Sequence, residues 1–172
     1  NSPALAEKEL RLAAAVAVHE MLVEVYAQTP DIKWPNDVLI GGKKICGILA
    51  EVTETEKGTA VILGIGINLR SDNFPPEIAA TATSIQTEIG RPAEAETLLP
   101  ALTAKLSFYY EMLQGENGPQ FVVTEWGKRS SYYSGKDVRV ITAQETLLGT
   151  TCGLETNGAL RVKQPDGEIR AI

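Results

Sequence analysis

Apolar residues recur at helical spacing from Ala4 to about Tyr26, with Leu10, Ala13, Ala14, Ala17, Met21 and Val25 on one stripe. This predicts an amphipathic first helix, ended by Pro30. The period then shortens. Val38–Ile40, the pair Gly41-Gly42 and Ile45–Val52 predict a hairpin, because two glycines supply the positive φ angles of a tight turn. Thr59–Leu69 predicts a third strand, so uniformly apolar that burial on both faces is expected. A loop carrying Pro75-Pro76 follows from Arg70 to about Ala82. Helical spacing returns at Thr97–Leu113, with Leu98, Leu102, Leu106, Tyr109 and Leu113 on one side and Thr97 as the expected cap. A shorter helix is predicted at about Gln120–Arg129, presenting Phe121, Val122 and Trp126. Beyond Ser134 the pattern becomes short alternating strands, Asp137–Thr142, Glu145–Glu155 and Ala159–Gln164, with Asn157-Gly158 as a hairpin turn. The expected organisation is an α+β unit over residues 1–133 and a small β-barrel or open sheet over 134–172.

Composition narrows the function classes. A chain of 172 residues with 44% hydrophobic content is long enough to bury roughly 70% of its unfolded surface. The longest apolar runs, Leu12–Val18 and Ala60–Leu69, fall short of the roughly 20 residues of a membrane span. No basic-then-apolar leader pattern opens the sequence, so a cytoplasmic location is expected. The net charge is −6, with 11 Lys/Arg against 17 Asp/Glu up to Tyr133 and 5 against 5 thereafter. That sign is wrong for a nucleic-acid footprint. Two distant cysteines, Cys46 and Cys152, and a single histidine, His19, provide neither a disulfide framework nor a zinc cluster. Any metal would need oxygen ligands. Cys46 reads as a small core residue and His19 as a surface or half-buried one, and nothing supports a Ser-His-Asp triad.

Two stretches carry candidate chemistry. In "VILGIGINL" the residues Gly64, Gly66 and Asn68 share one parity and Leu63, Ile65, Ile67 and Leu69 the other. One face is apolar, and the other is bare backbone ending in an amide. A ligand lying on the backbone and a packed neighbour explain that bareness equally well from the strand alone. The pattern is not a dinucleotide fingerprint, since Leu69 stands where a third glycine would be. In "DIKWPNDVLIGGKKICGILAEV", Lys44 leads a strand into an apolar interior, where an ammonium is costly unless it meets an anion. The bland alternative is a lysine reaching water beside the Gly-Gly turn. For Lys33, Asn36 and Asp37 the alternative is an Asx-type turn around Pro35.

Taken in order, "IKWPNDVLIGGKKICGILAEV", "VILGIGINL", "FPPEIAATATSI" and "GTTCGLETNGALRVKQPDGEI" resemble the biotin protein ligases over nearly the whole chain. The resemblance implies a mixed sheet with helices, similar to class II aminoacyl-tRNA synthetases (the biotin/lipoate ligase fold), then a small Src-homology-3-like β-barrel. It implies biotin and ATP as substrates with Mg²⁺, a biotinyl-5′-adenylate intermediate, and transfer to a lysine of a biotin carboxyl carrier protein. By position, Lys44 would contact the biotin carboxylate and the α-phosphate, and Asp37 would receive the incoming amine. Lys33 and Asn36 would shape the phosphate side, with Trp34 and Gly47 in the substrate-binding set. Gly64 and Gly66 would let the biotin chain lie on the strand, and Asn68 would reach the phosphates or Mg²⁺. Strict alternation sends Lys44 and Gly47 to opposite faces, although the family pattern puts both near ligand, so a bulge or a strong twist near Gly47 is expected.

The family pattern also has an earlier glycine- and arginine-rich loop, of the kind Gly-Arg-Gly-Arg-x-x-Arg, which these 172 residues do not contain. The expectation is therefore part of a longer ligase, or a chain working with another polypeptide, with part of the active site elsewhere. The alternatives are a non-catalytic remnant that binds biotinyl-adenylate or the carrier, and a related lipoate or other acyl ligase. These residues include no helix-turn-helix segment, so no DNA binding is expected. A homodimer is the assembly considered beside the carrier complex.

Overall fold

The computed structural model describes residues 3–72, 74–142 and 145–172, with side chains in the first helix described from Glu7 onward. Asn73, inside the predicted proline-bearing loop, and Ala143-Gln144, between two predicted strands, lie outside the described residues. Helix α1 (Pro3–Tyr26) is followed by β1 (Asp31–Lys33), β2 (Asp37–Ile40), β3 (Lys43–Thr55) and β4 (Gly58–Ile67). Helices α2 (Pro76–Ala79), α3 (Ile85–Ile89), α4 (Ala95–Leu113) and α5 (Gly118–Lys128) come next. The chain ends in β5 (Ser134–Ile141), β6 (Thr146–Leu154), β7 (Leu160–Lys163) and β8 (Ile169–Ala171). Two four-stranded sheets result, in the orders β1-β2-β3-β4 and β5-β6-β7-β8. Their ladders are antiparallel, and a parallel bridge joins Lys44 to Ala82.

The first helix is not the amphipathic element that its spacing predicts. Every residue from Leu12 to Val18 is at most 3% exposed, so the middle of α1 is covered on all sides and functions as the central pillar. The inner face of the first sheet packs on one side of it, and α4 and α5 pack on the other. Its alanines let these neighbours approach closely. Gly41 and Gly42 both take positive φ, at 56° and 78°, and close the predicted β2–β3 hairpin.

Several boundaries move. Helix α4 starts at Ala95 with Glu94 at the cap position; Thr97 lies inside the first turn, where its N–H donates to the Glu94 carbonyl at 3.2 Å, so it is not the cap. The segment read as a loop holds α2. After it comes α3, whose first turn is capped by the Ser84 hydroxyl accepting from Thr87 N–H at 3.2 Å. The third predicted strand, β4, is not buried on both faces: Ile62, Gly64 and Gly66 are exposed, and β4 is the last strand of its sheet.

The second sheet shares the same apolar core through Leu154, Leu160 and Val162. The link preceding it is tied to β1. Ile32 N–H donates to the Arg129 carbonyl at 3.2 Å, Ser130 Oγ donates to the Ile32 carbonyl at 2.5 Å, and the Asp31 carboxylate accepts from Ser131 N–H at 2.7 Å and Ser131 Oγ at 2.6 Å. Arg129 is in turn held by Glu20 at 2.6 Å and Glu125 at 2.7 Å. Burial pushes the Glu20 carboxyl up, but the Tyr109 hydroxyl and the charges of Arg129 and Lys105 outweigh it and hold it below its ordinary value. No described helix is long and apolar enough to cross a membrane.

Candidate active site

The register of the first sheet brings four of the sequence candidates onto one face. Lys33 pairs with Asp37, Asp37 with Gly47, and Gly47 with Gly66. Directly opposed residues in antiparallel strands point to the same side, so these four form a row across all four strands. The opposite face of the same strands carries Ile32, Val38, Cys46 and Ile48, all buried against α1 and its neighbours.

The expected bulge is present. Val38 pairs with Cys46, but Leu39 pairs with Lys44, which leaves Ile45 as the extra residue in β3. Ile45 and Cys46 are consequently both buried. The shift puts the Lys44 side chain on the same side as Gly47, over whose bare backbone it lies. A Cβ built on Gly47 would sit 3.0 Å from both Cε and Nζ of Lys44. The glycine is what lets the lysine stretch flat across the strand to Asp37, where Nζ comes within 2.6 Å of Oδ1. That buried oxygen has no donor in hydrogen-bond geometry among the described residues, so its contact is the ion pair itself. With the lysine 46% exposed, such a pair contributes at most about 1 kcal/mol to folding. Stability does not explain the arrangement. A cation held beside an open face, with its charge half directed to solvent, suits an anion arriving from that side.

Asn68 braces the lysine from below. Its Nδ2 donates to the Lys44 carbonyl at 3.3 Å and to the Thr83 carbonyl at 3.0 Å. Lys44 N–H donates to Thr81 O at 2.8 Å and Thr83 N–H to Lys44 O at 2.9 Å, so the 81–83 segment runs alongside β3 as a short extra strand. The amide nitrogen is thereby directed at two backbone carbonyls. This bracing role is one that the local sequence does not reveal, because Thr83 is 39 residues beyond Lys44 in the chain.

Gly64 and Gly66 face open space. A Cβ at either would find nothing closer than a ladder carbonyl, at 3.7 and 3.8 Å. No described side chain fills the bare face, which removes a packed neighbour among these residues as its explanation. Leu49 and Ile62 border the trough and stay exposed. Gly66→Val is expected to fold normally, since a β-branched residue suits a strand. It should weaken a ligand lying on this backbone by roughly five- to a hundredfold, the effect of overfilling a close contact. Titration with biotin checks this, and equal affinity in both proteins would free the face from ligand binding.

Trp34 stands at the junction of the two sheets. Its indole N–H donates to the Gly158 carbonyl of the β6–β7 turn at 3.0 Å, joining the two sheets. Asn36 accepts Ile48 N–H through its carbonyl at 2.9 Å, and its side chain sits at the turn before Asp37. The ring of Tyr132, absent from the sequence candidates, stands beside Lys33 with its centroid 5.9 Å from Nζ. Cys46 is inert: burial pushes its thiol up to about 12. His19 lies on α1, where burial first, then the Arg129 charge, holds its pKa below the ordinary value. Among the described residues no three carboxylate, histidine or cysteine side chains converge as a metal cage.

Known proteins resemble the chain along most of its length. Residues 6–68 match the Biotin/lipoate A/B protein ligase family and residues 133–172 the Biotin protein ligase C terminal domain. A Biotin--[acetyl-CoA-carboxylase] ligase of Paracoccus denitrificans is 31% identical over 170 residues, covering 95% of this chain and 70% of the relative. The bifunctional ligase/repressor BirA of Bacillus subtilis is 32% identical over 162 residues, covering 92% of this chain and 49% of the relative. The chain thus spans about half the length of that relative and of the other repressor ligases it matches. Among solved structures, the Aquifex aeolicus biotin protein ligase superposes with a TM-score of 0.83 at 26% identity, over 96% of this chain and 71% of that one. Its complex with biotin and ATP gives 0.82 at 25% identity, over 96% and 68%. Matched by both family models and by a relative 31% identical over 95% of its length, the chain belongs to the biotin protein ligase family.

Proposed function

We propose that the polypeptide containing these residues activates biotin with ATP to biotinyl-5′-adenylate and transfers the biotinyl group to a lysine of a biotin carboxyl carrier protein. The observation that supports this most is the Lys44–Asp37 pair at 2.6 Å on an otherwise open, glycine-floored face. The first step joins two anions. A biotin carboxylate oxygen attacks the α-phosphorus, and the bond to the β-phosphate breaks with its electron pair leaving on pyrophosphate. Lys44 lies where it neutralises the converging charges. In the second step a carrier lysine amine attacks the acyl carbon, AMP leaves, and Asp37 accepts the proton that the amine loses. The biotin chain lies along Gly64 and Gly66, and Lys33 and Asn36 line the phosphate side. Trp34 acts through the junction of the two sheets.

Magnesium typically uses one or two carboxylates together with substrate phosphates. The described residues build no cage of their own, so the ion enters as the counter-ion of the nucleotide, with Asn68 Oδ1 as its candidate protein contact. In this reading the protein acts in the cytoplasm, in two structural units, 1–133 and 134–172, and a homodimer accompanies the carrier complex. DNA binding is not proposed for these residues, whose net charge is −6.

The test is pyrophosphate release by the full-length polypeptide with ATP and either biotin or lipoate, followed by mass analysis of an added carrier domain. Biotin-dependent release with a biotinyl mass gain on the carrier is the expected result. Release that depends on lipoate, or binding of biotinyl-adenylate without release, would overturn it.

A further inference from the structure

The row Lys33–Asp37–Gly47–Gly66 ends, on the β1 side, at a second cation from the other sheet. Lys136 Nζ stands 4.8 Å from the centroid of the Tyr132 ring, and Lys33 Nζ stands 5.9 Å from it. Two ammonium groups therefore share one aromatic ring. Each is attracted to the face of the ring, but together they repel. Among the described residues neither ammonium is paired with a carboxylate. The neighbouring Asp137 carboxylate accepts from Thr150 Oγ1 at 2.7 Å.

The arrangement is held in place on both sides. Tyr132 N–H donates to Ser130 Oγ at 3.1 Å, and Ser130 is itself bonded to Ile32. Ser131 is fixed by the Asp31 carboxylate, and Lys136 N–H donates to the buried Thr151 hydroxyl at 3.0 Å. Both lysines thus rise from pinned backbone, and the entropy of placing their charges falls mainly on the side chains. Their position relative to the site follows from the register. Adjacent strands lie about 4.8 Å apart, so Lys33 on β1 is one strand beyond Asp37 and two beyond Gly47, over which Lys44 lies. If the reacting α-phosphate meets Lys44, the rest of the polyphosphate has this direction in which to find positive charge.

We propose that Lys136, together with Lys33, forms the subsite for the pyrophosphate end of the nucleotide, so that the second sheet completes a site otherwise built on the first. This rests on the ATP-dependent reading above. When the α–β phosphate bond breaks, the electron pair leaves on the pyrophosphate oxygen, and two cations at that end hold the departing charge. The ring attracts both ammonium groups and so helps to keep two like charges at one place without a carboxylate to neutralise them. Any carboxylate there would compete with the phosphates.

The experiment uses the full-length polypeptide with Lys136→Ala, Lys136→Arg and Lys163→Ala. Lys163→Ala removes an exposed charge from the same sheet, away from the ring. In biotin-dependent pyrophosphate release, Lys136→Ala is expected to raise the KM for ATP and the inhibition constant of added pyrophosphate by roughly ten- to a hundredfold, the value of one charge-assisted contact. The KM for biotin and the thermal midpoint should stay as in the wild type. Lys136→Arg should recover most of the loss, and Lys163→Ala should behave as wild type. Wild-type turnover with an unchanged KM for ATP in Lys136→Ala overturns the subsite. So does an equal rise in both KM values with a lowered thermal midpoint, which would make Lys136 a structural residue. Absence of biotin-dependent release from the wild type refutes the functional reading instead. In that case, calorimetric titration of inorganic pyrophosphate decides the site: weaker binding by Lys136→Ala supports it, and equal binding overturns it.

Discussion

Lys44→Ala is expected to slow adenylate formation in the full-length polypeptide by roughly a hundred- to a thousandfold, the range found when one preorganised charge-stabilising contact is removed from a transition state. The structure explains why so little else should change. The lysine side chain is half exposed, and its pair with Asp37 lies in the range of at most about 1 kcal/mol expected of such contacts. Removing it opens no cavity in the core, whose members lie on the other face of β3. The backbone at position 44 keeps its hydrogen bonds to Thr81, Thr83 and Asn68. Single-turnover measurement of adenylate with saturating biotin and ATP, beside a thermal melt, separates the two effects. An unchanged rate would remove Lys44 from the chemistry. A large fall in the melting midpoint would assign it to the fold.

Asp37→Asn should slow transfer to the carrier lysine more than adenylate formation. A positioned base contributes about a hundred- to ten-thousandfold to a step that needs proton removal, and only the second step takes a proton from an amine. The 2.6 Å contact with Lys44 adds a smaller effect on the first step. The asparagine cannot balance the ammonium, which then loses its anchor above Gly47 and presents its charge less well. Mixing preformed biotinyl-adenylate with the carrier isolates transfer from activation. Equal slowing of both steps would make Asp37 a positioning residue for Lys44 rather than a base.

Much of the secondary structure follows from local pattern. The hairpin around Gly41-Gly42, the two long helices and the short alternating strands after Ser134 are each set by neighbours within a few positions, through periodicity and turn chemistry. The three-residue strands β1 and β8 and the short helices α2 and α3 were not legible, since so few residues establish no period. The all-round burial of the middle of α1 was also hidden. Its alanines satisfy a stripe and a fully covered helix alike, and only the arrival of the sheet, α4 and α5 decides between them.

The site divides the same way. The residue types Lys33, Asn36, Asp37, Lys44, Gly64, Gly66 and Asn68 are written in two short stretches, and the parity of the glycine strand is readable without coordinates. Tertiary structure decided how they meet. Pairing register aligned Lys33, Asp37, Gly47 and Gly66 in one row, and the bulge at Ile45 turned Lys44 onto that row. Asn68 became a brace, and Trp34 became a link to Gly158. Tyr132, in the link before the second sheet, and Lys136, on that sheet, entered with no signal in the sequence, because they meet Lys33 at one ring across about a hundred residues of chain. Periodicity records the faces of each element by itself. Register, bulges and contacts between distant segments depend on how the elements satisfy one another's hydrogen bonds and apolar faces, which no local stretch encodes.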